Sequence, residues 1–175
     1  RLSVLDLTDA AKQPMVCRSG RFVISYNGEV YNFQELKERF SLDYLRTHSD
    51  TEVILELFSK IGKDCFGLLN GMFSLAIFDL KERVLWLARD RLGIKPLYLA
   101  KNENGLFFSS EIKGIHALEN SFRGVNAQAL AEWSYYGNGL GEKTLFKGLT
   151  KLLPGHYLKV GVDNLNVEEF TYWEA

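Results

Sequence analysis

Phe22-Val23-Ile24-Ser25-Tyr26 is an apolar strand that runs into Asn27-Gly28 and then straight toward a helix. Phe33, Leu36 and Phe40 share one face of that helix, and Asn32 with Glu35 predicts an N-cap and capping box at its start. Leu2-Ser3-Val4-Leu5-Asp6-Leu7 reads as an earlier strand, and Tyr44-Leu45-Arg46 as a short extended piece. Ser49 with Glu52 predicts a second capping box ahead of Val53, Ile54, Leu57, Phe58 and Ile61, whose spacing is helical. Residues 72–78 are apolar apart from Ser74, which predicts a strand covered on both faces.

A polar turn over 79–83 and a strand over 84–88 complete one hairpin, and 96–100, 102–105 and 106–109 read as a second. A short helix is expected over 111–118 after Ser109-Ser110, and a longer one over 126–136 with Leu130 and Trp133 inward. Hairpins with helices on separate stretches predict an α+β fold of antiparallel sheets covered by helices. The apolar 72–78 strand further suggests two sheets packed face to face inside helical layers.

A chain of 175 residues that is 46% hydrophobic and 25% charged matches one soluble globular domain with a real core. The formal net charge of −1 and the lack of a Lys/Arg cluster argue against nucleic acid or an anionic membrane as principal partner. No apolar run reaches the roughly 18–20 residues of a membrane-spanning helix. Cys17 and Cys65 stand far apart, outside any CxxC or Cys/His cluster, and His48, His116 and His156 are dispersed. Neither a disulfide scaffold nor a metal site is expected, and a reducing, cytoplasmic setting fits best. The chain opens on Arg1, which is not a translation start, so an absent signal peptide says little.

Two residue sets carry candidate chemistry. The Asn27 amide and the backbone N–H at or beside Gly28 could converge on one oxygen as an oxyanion hole. The same dipeptide is also the commonest two-residue hairpin turn. Asp50 at a helix N-terminus complements the helix dipole, or it binds a cation such as the ammonium of an amino-acid substrate. Two further stretches are decoys. Gly137-Asn138-Gly139-Leu140-Gly141-Glu142-Lys143-Thr144 places Glu142 where a phosphate-binding loop requires glycine, and reads as a mobile surface loop. Arg89-Asp90-Arg91-Leu92-Gly93-Ile94-Lys95-Pro96 reads as a strand-end turn in which Arg89 and Arg91 pair with Asp90.

Taken in order, Ser25 to Asn32, His48-Ser49-Asp50-Thr51-Glu52, Asn70-Gly71-Met72-Phe73, Ala88 to Tyr98 and Ser109-Ser110-Glu111-Ile112-Lys113 resemble the glutaminase domain of glutamine-hydrolysing asparagine synthetases. Arg1 to Leu7, Gln13-Pro14-Met15, Leu152 to Leu158 and Tyr172-Trp173 extend the resemblance over nearly the whole chain, 1–175. Asn-Gly-Glu and the aspartate before Thr-Glu are shared with class II glutamine amidotransferases generally, whereas Pro-Gly-His-Tyr and the closing Tyr-Trp are narrower.

The resemblance implies the four-layer αββα sandwich of N-terminal nucleophile hydrolases, truncated at its N-terminus. It implies Asn27 and Gly28 as the oxyanion hole, and Arg1 on the glutamine α-carboxylate. Asp50 with the Glu29 region would take the α-ammonium, and the Val4 and Leu5 backbone would line the same pocket. The nucleophilic cysteine of such enzymes would lie upstream of Arg1, and Cys17 and Cys65 are not substitutes for it. The partners implied are L-glutamine and a C-terminal synthetase domain that uses ATP and Mg to amidate aspartate. No cofactor and no metal are expected in the glutaminase half, and a homodimer is left open. The alternatives are another class II amidotransferase with a different acceptor, or a catalytically silent glutamine-binding module.

Overall fold

A computed structural model describes residues 12–137, 139 and 141–174. Nine strands and four α-helices follow one another as β1 (Met15–Val16), β2 (Phe22–Val30), α1 (Phe33–Arg39), α2 (Asp50–Ile61), β3 (Gly71–Asp79), β4 (Val84–Arg89), β5 (Tyr98–Asn102), β6 (Gly105–Ser109), α3 (Ile112–Leu118), α4 (Ala127–Tyr136), β7 (Leu149–Lys151), β8 (His156–Gly161) and β9 (Asn166–Thr171) among the described residues. The strand read over Leu2 to Leu7 lies outside them. The backbone falls into two compact units, one of residues 1–95 with 155–175 and one of residues 96–154.

The first unit holds a six-stranded antiparallel sheet in the order β1-β2-β3-β4-β8-β9. Its two-residue alternation sends Phe22, Ile24, Tyr26 and Val30 of β2 to one face, level with Phe73, Leu75 and Ile77 of β3. Val53, Ile54, Leu57 and Phe58 of α2 close over that face, as their helical spacing predicts. Phe58 touches the rings of Phe22, Phe66 and Trp86, and this aromatic contact locks the helix to three separate segments. The expectation of a doubly covered strand holds, because Phe73 through Ile77 are all buried.

The second unit is built on a three-stranded sheet ordered β6-β5-β7, packed with α3 around Ala100, Ile115, Phe122 and Leu149. Both hairpins read from the sequence are present, and Asn102 opposite Gly105 leaves Glu103 and Asn104 as a two-residue loop.

Several local readings are corrected. Asn27-Gly28 is no turn: β2 runs straight through it, with Asn27 opposite Ser74 and Gly28 opposite Phe73. The ladder with β3 overrides the local turn preference of the dipeptide. Asn32 precedes α1 without capping it; its amide instead donates to the Leu68 carbonyl at 3.0 Å and accepts from Asn70 N at 2.9 Å. A contact with a distant loop wins over the local cap. Residues 44–46 form no strand: Tyr44 lies in a turn and Arg46 in a bend, where Glu52 accepts from Arg46 N and from the next residue, Thr47. In α4, Ala129 is the buried residue while Leu130 and Trp133 stay 44% and 49% exposed. The helix start is pinned by Asn126, whose N–H donates to Leu145 O and whose side chain caps Ala129 N, and that anchoring sets the face turned inward.

Candidate functional site

The polar geometry along β2 follows from what Asp90 does to the neighbouring strand. Asp90 N donates to Phe73 O at 2.8 Å, and Phe73 N donates to Asp90 Oδ2 at 3.2 Å. Both polar groups of Phe73 therefore turn away from β2, so Gly28 and Phe73 form a non-hydrogen-bonded pair. The Gly28 N–H consequently leaves β2 on the edge away from β3. The alternation is consistent on either side: Tyr31 N donates to Asn70 O on the β3 side, while Tyr26 N and Val30 N donate on the opposite edge to Gln13 Oε1 and Asp50 Oδ2, at 2.6 and 3.0 Å.

Glycine at 28 has a reason the sequence did not reveal. A Cβ there would press on the Met72 carbonyl and come within 2.7 Å of Phe73 Cα. Gly71 shows the reciprocal constraint against the Glu29 carbonyl and Val30 Cα. The close approach of β2 and β3 demands both glycines and fixes the plane from which the Gly28 N–H projects.

Asp50 reaches the same edge from the first turn of α2. Ser49 caps the helix, its side chain accepting from Thr51 N at 3.2 Å. Asp50 Oδ2 accepts from Tyr26 Oη at 2.7 Å and from Val30 N, and Oδ1 accepts from Thr51 N at 2.8 Å. With Asp50 only 4% exposed, these bonds and the helix N-terminus offset the cost of burying its charge. A carboxylate has about four lone-pair sites, so among the described residues the three donors leave one on Oδ1. Burial first, and the Asp50 charge second, push the Tyr26 phenol far above its ordinary range, so it remains a donor.

Ser49 and Glu52 make only half of the expected capping box. Glu52 does not reach back to Ser49; it accepts from Arg46 N, Thr47 N and Thr47 Oγ1, the last two both at 2.7 Å, and so shapes the loop that delivers Asp50. Burial alone would raise the Glu52 carboxyl, but the hydrogen bonds from Thr47 and Arg46 outweigh it and hold the group below its usual range. Arg46 is largely exposed, so its 3.3 Å ion pair adds little. A lowered folded-state value stabilises the protein above the unfolded carboxyl range and fades as pH falls through it. Melting between pH 7 and pH 3 should therefore show Glu52→Gln less stable at neutral pH, with the gap to the parent protein narrowing below about pH 4.5.

Of the site residues read from the sequence, Gly28 and Asp50 come to this edge, Gly28 through its N–H and Asp50 through its bond from Val30 N. Asn27 and Glu29 alternate onto the face opposite Tyr26 and Val30. Arg1, Val4 and Leu5 lie outside the described residues. Tyr26 and Gln13 were not read as site residues; the parity of β2, once extended to Val30, is the signal that places Tyr26 beside Asp50.

The remaining candidates have other duties. Arg89 and Arg91 do not pair with Asp90, whose carboxylate gathers Phe73, Leu92, Ile94 and Lys95 N–H groups; the arginines donate to the Lys95, Gly93 and Gly67 carbonyls. Backbone donors in a tight turn reach the carboxylate first. Lys143 pairs with Glu132, and Thr144 donates to Leu149 O at 2.6 Å, while Asn138 and Leu140 lie outside the described residues. Cys17 and Cys65 are buried free thiols, and burial pushes the Cys65 thiol well up. Among the described residues no group of His, Cys, Asp and Glu is placed to hold a metal ion, and no helix is long and apolar enough to cross a membrane.

Comparison with known proteins agrees with this architecture. The chain is 37% identical over 181 residues to the glutamine-hydrolysing asparagine synthetase 3 of Bacillus subtilis, covering 100% of this chain and 29% of that protein. The fold superposes on the allosteric regulatory enzyme of purine biosynthesis with a TM-score of 0.64 at 18% identity, covering 95% of this chain and 32% of the other. It superposes on the glutamine phosphoribosylpyrophosphate amidotransferase of B. subtilis with a TM-score of 0.61 at 17% identity, covering 93% and 32%. The antiparallel-sheet fold is thus shared with these two enzymes, and the chain spans about a third of the length of the proteins it matches. Residues 1–173 match the family model of the glutamine amidotransferase domain, and the chain belongs to that family.

Proposed function

We propose that this chain is the glutamine-hydrolysing part of an asparagine synthetase, releasing ammonia from L-glutamine for the ATP-dependent amidation of aspartate. The observation that carries the reading is the edge of β2, where the Gly28 N–H projects beside Asn27 and the Asp50 carboxylate is held two residues along at Val30. Successive N–H groups on one strand edge lie about 7 Å apart. That spacing suits glutamine, whose side-chain carbonyl and α-ammonium are separated by four carbons.

The reaction then runs in two halves. A cysteine thiolate at the mature N-terminus, supplied by sequence ahead of Arg1, attacks the amide carbon with its own α-amine as base. The carbonyl oxygen becomes an oxyanion held by the Gly28 N–H and the Asn27 amide, ammonia leaves, and a thioester remains. Water hydrolyses the thioester to glutamate and returns the thiolate. Buried Cys17 and Cys65 suit neither step. Asp50 with the Glu29 region takes the α-ammonium, Arg1 the α-carboxylate, and the Val4 and Leu5 backbone lines the pocket. This half needs no cofactor; ATP and Mg belong to a C-terminal synthetase domain of the same protein. A cytoplasmic setting accords with two free buried thiols.

The test is product formation by the purified full-length protein given aspartate, ATP and either glutamine or an ammonium salt. Glutamate and asparagine should form together from glutamine, and asparagine alone from ammonium. Ammonium-dependent synthesis with no glutamate released from glutamine would overturn the assignment.

A further inference from the structure

The proposed ammonium ligand is itself held by a side chain that plays no part in that chemistry. Tyr26 is 7% exposed on the α2-facing side of β2, and its hydroxyl donates to Asp50 Oδ2 at 2.7 Å. The Val30 N–H fills the other side of that oxygen at 3.0 Å, and Thr51 N occupies part of Oδ1. With Oδ2 saturated, the carboxylate cannot rotate about its Cβ–Cγ bond without breaking two bonds in a buried setting, where each costs its full desolvation. Among the described residues, that leaves the remaining lone pair of Oδ1 to face a ligand. Tyr26 is fixed in turn by the β2 ladder, by its N–H bond to Gln13 Oε1 at 2.6 Å, and by core packing.

Accepting the Asp50 assignment above, we infer that Tyr26 is a positioning residue that saturates Asp50 Oδ2 and thereby aims Oδ1 at the substrate ammonium, setting the preference for an α-amino amide over the same amide without the amino group. The consequence is specificity without direct contact. Removing the hydroxyl frees Oδ2 to turn and share the ammonium in several geometries, so the selected substrate loses its advantage while the amide chemistry at Gly28 is unaffected.

The measurement is kcat/KM of the full-length enzyme for glutamine and for glutaramate, which lacks only the α-amino group, in the parent protein, Tyr26→Phe, Asp50→Asn and the double variant. Loss of one hydrogen bond to a charged group predicts about a tenfold fall in the glutamine-to-glutaramate preference for Tyr26→Phe, entered through KM for glutamine. The double variant should be no less selective than Asp50→Asn, because Tyr26 acts only through Asp50. A general loss of stability would lower both substrates equally and leave the preference intact, which overturns the inference. An unchanged preference in Tyr26→Phe beside a collapsed one in Asp50→Asn rejects the role of Tyr26 and leaves the Asp50 assignment standing. An unchanged preference in both removes the assignment and the inference together. If Tyr26→Phe yields no folded protein, Tyr26→His, which keeps a ring and a donor at a different reach, takes its place: a fallen preference supports the role of Tyr26 and an unchanged one rejects it.

Discussion

Asn27→Ala in the full-length enzyme should lose about 2.7–4 kcal/mol of transition-state stabilisation, a fall of roughly 10²–10³ in the rate of glutamine hydrolysis with little change in KM. The reason is that an oxyanion donor acts on charge that exists only after the nucleophile has attacked. Before that, the amide carbonyl is a weaker acceptor and the missing donor costs binding little. The side chain of Asn27 alternates away from the Tyr26 and Val30 face, so its removal leaves the apolar cluster between β2 and α2 intact. Steady-state kinetics with a melting curve separates the possibilities. Should the rate survive while the domain melts early, Asn27 serves the strand and not the reaction.

Asp50→Asn is expected to weaken glutamine use by roughly 1.5–3 kcal/mol, the worth of a charge-assisted hydrogen bond, while ammonia-dependent synthesis is retained. Asparagine keeps the size of the side chain and can still accept from Val30 N or Tyr26 Oη through one oxygen. A helix-end acid with no further role would cost only about 0.3–1 kcal/mol of stability and leave both reactions alone. Three internal donors on one buried carboxylate make a structural contribution certain, so stability alone does not discriminate. The ratio of glutamine-dependent to ammonia-dependent product does, and an unchanged ratio removes Asp50 from the site.

The fold was legible in the sequence where one physical signal dominated. Val53, Ile54, Leu57 and Phe58 have no competing pattern, and they lie in α2 within the apolar cluster it shares with β2 and β3, although α2 is buried all round from Asp50 to Phe58. The run over 72–78, apolar apart from Ser74, suggests a strand buried on both faces, which β3 is. Where a local preference met a long-range contact, the long-range contact won. Asn27-Gly28 carries the composition of a hairpin turn, yet β3 supplies a ladder to both residues and packs too closely for a Cβ at 28. Asn32 has the chemistry of an N-cap and gives both halves of its amide to the 68–70 segment. Glu52 occupies the capping-box position and turns to Thr47. Sequence spacing reports what a residue can do with its immediate neighbours in a helix or turn; Asn27, Gly28 and Asn32 answer instead to partners brought in by tertiary structure, and Glu52 to the loop that precedes its own helix.

The candidate site was legible as a set of residue types but not as an arrangement. The Asn27 and Gly28 donors and the Asp50 acceptor could be named from the chain, whereas the edge that Gly28 N–H shares with Asp50 depends on the register of β2 with β3 and on Asp90 drawing the Phe73 backbone away. Tyr26 could not be found without that register, because only the strand's continuation to Val30 places its ring against α2.

The central claim is that the β2 edge holds glutamine by both of its ends. A crystal structure of the full-length protein after reaction with an electrophilic ketone analogue of glutamine tests it most directly. The account predicts the analogue oxygen within hydrogen-bonding distance of Gly28 N and Asn27 Nδ2, and the α-ammonium on Asp50 Oδ1. An adduct whose oxygen meets neither donor, or whose ammonium faces a group other than Asp50 or the Glu29 region, would contradict it.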